Sequence, residues 1–215
     1  MLKKIISLFQ LGRKVARSDI LTIVSKFQEP PLAVRLLFKV LSFSFFTKKE
    51  TNINQDEGER LSSSLESMGT TFIKLGQFLA TRPDIIGEEL SKKLENLQDK
   101  LPPFSLIQAK EIIKNDLGSD TYNSIIDLSE PVAAASIAQV HKAKINDDGT
   151  IKDVAIKILR PNIKKMFNEE IDAMMLFAFI VESLIKKTKR LKLVEVVFLL
   201  KEITNLEMDL RFEAA

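Results

Sequence analysis

Apolar residues in the first part of the chain recur three and four positions apart, which places their side chains on one face of a helix. This pattern predicts two helices over Leu2 to Phe46. They are separated at Glu29 to Pro31, because proline cannot continue a helix and restricts the residue before it. A polar linker, Lys48 to Glu57, follows them.

Apolar residues again recur three and four positions apart from Gly58 to Leu101, which predicts helical structure with an interruption at Pro83. A further helix is predicted at about Glu88 to Leu97. Another is predicted from Ser105 to Leu117 and ends at Gly118, since glycine commonly closes a helix. The apolar positions that define the first of these helices are Leu61, Leu65, Met68, Phe72, Leu75 and Leu79.

In the middle of the chain the apolar period changes to two, which is typical of strands. Ile137 to Ile145 and Asp153 to Leu159 flank the turn Asn146 to Gly149 and predict an antiparallel hairpin. A shorter strand is predicted at Ser124 to Leu128. Two long helices follow, one at Ile163 to Lys187 and one from Leu193 to the end of the sequence. The pattern therefore predicts an α+β fold with a small antiparallel sheet.

Composition excludes several kinds of site. The 215 residues contain no cysteine and a single histidine, His141, so a thiolate zinc site, a cysteine nucleophile and a histidine-rich metal cluster are excluded. A Ser-His-Asp triad would have one candidate base and no nucleophile-elbow motif. A hydrolase with a cysteine or Ser-His-Asp nucleophile is therefore not expected, and no metal-ligating residues are predicted.

Charge is nearly balanced overall but uneven along the chain. The net charge of +3 is too small to indicate nucleic-acid binding. The first thirty residues are basic and amphipathic, which suits an anionic membrane surface or, equally, a helix packed on the protein's own core. The apolar runs Leu36 to Phe46 and Met174 to Ile185 are shorter than the ~20 residues of a spanning helix, so no transmembrane helix is expected.

The string Val154 to Leu159 carries the first candidate for chemistry. With a strand period of two, Lys157 shares a face with Ala155 and Leu159, so its ammonium points into a small, partly apolar environment. A buried ammonium needs a carboxylate or phosphate partner. V-A-I-K is also the strand-lysine motif of protein kinases. The alternative is a strand lysine that extends into water.

An alanine-rich stretch, Ala133 to Val140, lies about twenty residues upstream, where a protein kinase carries its glycine-rich phosphate loop. Alanine keeps the loop small but gives up the free choice of positive φ. The alternative interpretation is the start of a small-residue helix packed against the sheet.

Together these residues resemble the UbiB-type atypical kinase-like proteins associated with ubiquinone biosynthesis, over about Leu65 to Ala215. The motifs stand in the family's order. They are the K-x-G-Q signature Lys74-Leu75-Gly76-Gln77 with the following Phe78 to Asp84, the segment Leu97 to Pro103, the alanine-rich stretch Ala133 to His141, the strand Val154 to Lys157, and the E-x-D motif Glu207-Met208-Asp209 with Glu213.

This resemblance implies a mainly helical extension followed by a partial protein-kinase-like N-lobe. The domain boundaries become 1–57 for the basic region and linker, 58–120 for the K-x-G-Q extension and 121–215 for the partial N-lobe. In the family, ATP or ADP with Mg²⁺ is the cofactor. The residues implied in nucleotide binding are Ala133, Ala134, Ala135, Ser136 and Lys157.

The same resemblance implies supporting roles for the charged residues near the end of the sequence. Glu213 would pair with Lys157, while Glu207 and Asp209 would meet Lys74 and Gln77 over the nucleotide pocket. On a continuous helix Asp209 and Glu213 would lie about 40° apart, with Glu207 roughly opposite.

The implied role is ATP-dependent support of ubiquinone biosynthesis, as a kinase or ATPase, at the cytoplasmic face of the bacterial inner membrane. Implied partners are nucleotide, an anionic membrane or isoprenoid lipid, and other ubiquinone-biosynthesis proteins.

Kinase chemistry also needs a catalytic-loop aspartate and a magnesium-binding aspartate downstream of the helix glutamate. Asp116-Leu117-Gly118 precedes Lys157 and is interpreted as a helix C-cap. The sequence stops at Glu213 to Ala215 without a helix-closing residue, which predicts a catalytically incomplete N-terminal fragment. The alternatives are a non-catalytic membrane-associated scaffold and a non-functional gene remnant.

Overall fold

Helices precede and follow a three-stranded antiparallel sheet. The computed structural model describes residues 2–17, 57–95, 97, 101–184 and 186–212. The helices before the sheet are α1 (Leu2–Arg17), α2 (Glu57–Met68), α3 (Thr70–Ala80), α4 (Pro83–Ile86), α5 (Glu88–Leu94) and α6 (Leu106–Asn123). The strands and later helices are β1 (Ile125–Ala134), β2 (Ala138–Asp147), β3 (Thr150–Leu159), α7 (Ile163–Leu184) and α8 (Leu193–Glu207), with 3₁₀ turns at Lys186–Leu191 and Leu210–Phe212.

These elements form two compact units. The helical unit lies within Met1–Gln98 and Lys165–Asn205. The sheet unit lies within Asp99–Lys164 and Leu206–Ala215. The predicted combination of helices with a small antiparallel sheet is confirmed, and it matches a partial kinase-like N-lobe.

In the helical unit, α2, α3 and α5 pack against one another. Four of the apolar positions that defined the predicted helix are buried, namely Leu61, Leu65, Met68 and Phe72. The prediction of one continuous helix up to Pro83 is wrong, because Gly69 separates α2 from α3 with a φ of 104°. Only glycine adopts that angle at little cost, so the break depends on this residue.

Helix α1 belongs to the helical unit and packs on it. Leu11 is buried, and the Lys14 ammonium donates a hydrogen bond to the Met68 carbonyl oxygen at 3.1 Å. Lys14 also pairs with Glu170 of α7. The predicted break at Glu29 to Pro31 lies outside the described residues. Among the described residues, no helix is long and apolar enough to cross a membrane.

In the sheet unit, the strand order is β1-β2-β3 and α6 packs on one face of the sheet. Ala109 and Ile113 of α6 form a buried core with Ile158 of β3. The predicted hairpin is confirmed. Its two-residue turn, Asp148 and Gly149, has φ angles of 48° and 86°, which suit the right-handed twist of the paired strands.

Strand β1 is longer than predicted, since Ile125–Ala134 replaces the short strand expected at Ser124 to Leu128. Its sequence lacks a clean alternation, but pairing with β2 extends it. The register shifts around Pro131, which pairs with His141. Proline is tolerated here because β1 is an edge strand and needs no amide donor on its outer side.

The helix predicted from Ser105 to Leu117 does end at Gly118, because this glycine leaves the helical conformation with a φ of 81°. A further short helical stretch follows it to Asn123 within the range of α6. One predicted helix end is corrected. Helix α8 ends at Glu207 instead of running through the last residues. After it, the Asp209 carboxylate accepts a hydrogen bond from the Arg211 backbone amide at 3.3 Å, so aspartate competes with the helix for backbone donors.

Candidate functional site

The site begins with a row of side chains across the sheet. Ala133 pairs with Val140, and Val140 pairs with Lys157. Directly paired residues project from the same face, so these three define what is called here the lysine face. Alternate residues of β3 project from the opposite face, where Ile158 is buried in the core with α6.

Lys157 is exposed on the lysine face, so the expectation of a buried ammonium is wrong. Helix α6 covers only the opposite face and buries the side chains that alternate with Lys157. Ala155 is exposed on the same side, and Leu159 is partly buried.

Lys157 also borders a cleft of about 440 Å³ at the free edge of β3, within the sheet unit. Ile112 and Leu117 of α6 supply part of its apolar wall. Asp209 lines the same cleft, so the structure brings together two of the residues predicted for the site. The other charged residues that line it are Asp116, Lys164 and Arg211.

Asp209 is held by a neighbouring guanidinium. Arg211 Nε donates to the Asp209 carboxylate at 2.7 Å. This hydrogen bond, with a smaller attraction from Lys164, lowers the pKa of Asp209 from 3.8 to about 2. Because α8 ends before Asp209, the predicted arrangement of Glu207, Asp209 and Glu213 on one helix is wrong, and Glu213 lies outside the described residues.

The alanine-rich stretch forms the end of β1 and the turn into β2, which excludes a helix start. Ala133 and Ala134 are the last residues of β1. The Ala135 amide donates to the Ala138 carbonyl oxygen at 2.8 Å across the turn. Ser136 is wholly buried, so neither its hydroxyl nor its backbone is exposed at this turn.

Arg160 holds this turn from the end of β3. Its Nε and one Nη donate to the Ala135 carbonyl oxygen at 3.0 and 2.8 Å. The guanidinium also donates to the carbonyl oxygens of Pro102 at 2.9 Å and Leu101 at 3.2 Å. The segment that carries Pro102 and Pro103 is thereby tied to the turn. Sequence reasoning missed Arg160, because these partners are remote in sequence.

Gln139 makes a second connection to the same segment. Its amide oxygen accepts from the Phe104 amide at 2.9 Å, and its nitrogen donates to the Phe104 carbonyl oxygen at 3.1 Å. The same nitrogen lies 2.9 Å from His141 Nε2, while His141 Nδ1 lies 2.7 Å from the Ser129 carbonyl oxygen. A carbonyl can only accept, so His141 carries its proton on Nδ1 and accepts from Gln139.

A signal for this network was present in the sequence. Gln139 and His141 occupy the positions of β2 that alternate onto the core side together with Ala143, and all three are buried. Polar residues at core positions are informative because they need partners.

The K-x-G-Q residues lie in α3 of the helical unit, where Lys74 and Gln77 are partly buried. Gly76 is buried against two leucines. A Cβ at Gly76 would lie 2.5 Å from Leu97 Cδ2 and 2.8 Å from Leu65 Cδ1. The glycine therefore allows a close approach that no other residue permits.

Some predicted contacts remain predictions. Lys74 and Gln77 belong to the helical unit, whereas Glu207 and Asp209 belong to the sheet unit. The pairing of Lys157 with Glu213 likewise remains a prediction.

Comparison with known proteins agrees with the motifs and the sheet. Residues 96–215 match the ABC1 atypical kinase-like domain. The chain belongs to the ABC1 atypical kinase-like family. The UbiB-type resemblance is confirmed by relatives named "Probable protein kinase UbiB". One from Marinobacter nauticus is 35% identical over 188 residues, which are 87% of this chain and 33% of the relative.

A relative from Vibrio cholerae with the same name is 38% identical over 174 residues, which are 80% of this chain and 31% of the relative. The ABC1-family chain thus spans about a third of the length of these relatives. No solved structure matches it.

Proposed function

We propose that this chain binds the phosphates of ATP or ADP on the lysine face, as the nucleotide-holding part of an ABC1-type kinase or ATPase. The observation that carries the proposal is the row of Ala133, Val140 and Lys157 beside the alanine-rich turn. A lysine ammonium attracts phosphate as a point charge. Alanine side chains are small enough for the strand backbone to approach a ligand closely.

The cleft beside Lys157 supports the proposal, because it combines apolar walls with charged side chains, as small-molecule sites commonly do. ATP would supply the transferable phosphoryl group. Among the described residues there is no cluster of three or more His, Cys, Asp or Glu side chains suited to a metal ion, so no Mg²⁺ ligand is assigned to them.

The test is equilibrium binding of ATP and ADP by calorimetry. Replacing Lys157→Met should weaken binding by about tenfold or more, because one charge-assisted contact to phosphate is lost. Lys152→Met, near the start of the same strand, is the matched control and should bind as the unsubstituted chain does. Equal affinities of the Lys157 variant and the unsubstituted chain would contradict the proposal.

We further propose that residues 1–215 alone bind nucleotide without transferring phosphate. Kinase chemistry needs a catalytic-loop aspartate and a magnesium-binding aspartate that follow the helix glutamate. Release of phosphate from MgATP is the measurement. Turnover that disappears in Lys157→Ala would contradict this part of the proposal.

In the whole protein, the proposed role is ATP-dependent support of ubiquinone biosynthesis at the inner membrane. Glu213 would then orient Lys157, and the K-x-G-Q residues Lys74 and Gln77 would face Glu207 and Asp209. These roles rest on the family's motif order and not on a described contact.

A second candidate function, membrane association, is favoured by α1. Ile6 and Phe9 are 48% and 56% exposed, and Arg13 is exposed on the same helix. Exposed apolar side chains beside basic residues suit an anionic lipid surface. Lys14 is a poor candidate for lipid contact because it already pairs with Glu170.

Vesicle flotation tests this function with phosphatidylcholine alone and with added phosphatidylglycerol. The double change Phe9→Ser and Arg13→Glu should release the chain from the anionic vesicles. The control Lys152→Glu should leave flotation unchanged. Flotation that survives the double change would exclude α1 as the membrane contact.

A further inference from the structure

The alanine-rich turn is held at both of its ends by Arg160. The guanidinium donates twice to the Ala135 carbonyl oxygen, at 2.8 and 3.0 Å. The Arg160 backbone amide donates to the Ile137 carbonyl oxygen at 2.9 Å. Further hydrogen bonds to Leu101 and Pro102 fix the guanidinium itself, so it forms a rigid support for the turn.

This support sets the direction of one peptide dipole. In a trans peptide the carbonyl and the following N–H point in opposite directions, and none of the described peptide bonds is cis. The negative end of the Ala135–Ser136 peptide is therefore directed at the guanidinium. Turning the peptide over would drive φ of Ser136 to positive values, which a residue with a Cβ adopts at a cost.

We propose that Arg160 is a positioning residue for nucleotide phosphate, which keeps the Ala135 carbonyl oxygen turned away from the bound anion. The inference rests on the proposed binding of nucleotide at this turn. A glycine-rich loop can reorient its peptides around a phosphate, because glycine has access to positive φ. An alanine-rich turn lacks that freedom, and Arg160 supplies the orientation instead.

The test separates phosphate recognition from general stability. Arg160→Lys keeps the positive charge but loses the planar arrangement of donors that reaches several carbonyls at once. We expect this variant to bind ATP about tenfold more weakly, which corresponds to a loss of about 1.4 kcal/mol of binding free energy. Its affinity for adenosine should stay unchanged. Arg190→Lys, at an exposed arginine, is the control and should change neither affinity.

Each outcome decides the inference. If the affinities for ATP and adenosine both fall in Arg160→Lys, Arg160 has a merely structural role. If the affinity for ATP is unchanged, Arg160 has no role in nucleotide binding. If Lys157→Met loses ATP binding while Arg160→Lys keeps it, only this inference fails. If the unsubstituted chain binds no ATP, the proposed function fails and the inference falls with it.

A measurement on the unsubstituted chain keeps the inference testable should the variant not fold. Titration with ATP, followed by NMR, should shift the backbone resonances of 133–137, while adenosine should leave them in place. The Arg160 Nε–H resonance should stay protected from exchange in the ATP complex. Loss of that protection on ATP binding, or no shift in 133–137, would overturn the inference.

Discussion

The two units hold their family motifs in different ways. In the helical unit, the K-x-G-Q helix is fixed by shape, because Gly76 fits against Leu65 and Leu97. In the sheet unit, the alanine-rich turn is fixed by polar side chains, Gln139 and Arg160, which bind backbone groups. Apolar contact suits a regular helix, whose backbone groups are already paired. An irregular turn leaves carbonyls and amides unpaired, so side chains must satisfy them.

The largest expected effect comes from removing the polar support. Gln139→Leu leaves the Phe104 amide and carbonyl, and also His141, without their partner. These groups are next to buried side chains, so we expect the free energy of unfolding to fall by about 3 kcal/mol. Urea unfolding measures it.

The matched control is Gln10→Leu, the same chemical change at an exposed residue, with an expected effect below about 0.5 kcal/mol. Equal stability of the Gln139 variant and the unsubstituted chain would show that the turn does not depend on these hydrogen bonds.

A smaller effect is expected from disturbing the apolar contact. Gly76→Ala places a methyl group too close to Leu65 and Leu97, which are both buried. Overpacking of this kind costs about 1–3 kcal/mol, partly offset by the better helix propensity of alanine. We expect a net loss of about 1–2 kcal/mol in urea unfolding.

A double-mutant cycle checks the cause of that loss. In the Leu97→Ala background, the methyl group added at Gly76 has room, so the same substitution should cost less or become favourable. Additive losses would contradict the packing explanation and would point to the helix itself.

The same difference between regular elements and irregular turns explains which features of the fold could be predicted from the sequence. Apolar periodicity correctly predicts the buried positions of α2 and the β2–β3 hairpin, because those elements follow local patterns. In α3 it identifies Phe72 but not the wholly buried Ile73, and the predicted Leu75 and Leu79 are only partly buried. The break at Gly69 was not predicted because a single backbone angle determines it. The end of α8 was not predicted because it depends on the side chain of Asp209. The role of Arg160 was not predicted because the carbonyl groups that its side chain binds are 25 to 59 residues away in the sequence.

For the candidate site, the motif order identified Lys157 and Asp209, which line one cleft. It did not predict the exposure of Lys157, which depends on α6 covering only the opposite face of the sheet. Gln139 and His141 were visible as polar residues at core positions of β2. Their partner Phe104 was not, because no local pattern links it to the strand.

The smallest effect is expected at the ion pair of Asp209 and Arg211, because Arg211 is exposed and water screens the charges. Arg211 lowers the pKa of Asp209 from 3.8 to about 2. The pair's contribution to stability is therefore complete above pH 3.8 and is lost as the pH falls toward 2. Arg211→Gln should return the pKa of Asp209 toward 3.8, as measured by NMR titration of the carboxyl carbon.

Lys164→Gln is the control, since Lys164 is the smallest contributor to that shift and its removal should raise the pKa of Asp209 less. An unchanged pKa of Asp209 in the Arg211→Gln variant would contradict the ion pair between these two residues. Because Asp209 stays ionised at neutral pH, the cleft beside Lys157 contains a carboxylate whose negative charge Arg211 offsets. Under the proposed function, Arg211 would reduce the repulsion between this carboxylate and a bound phosphate, while Gln139 and Arg160 would hold the backbone of the alanine-rich turn.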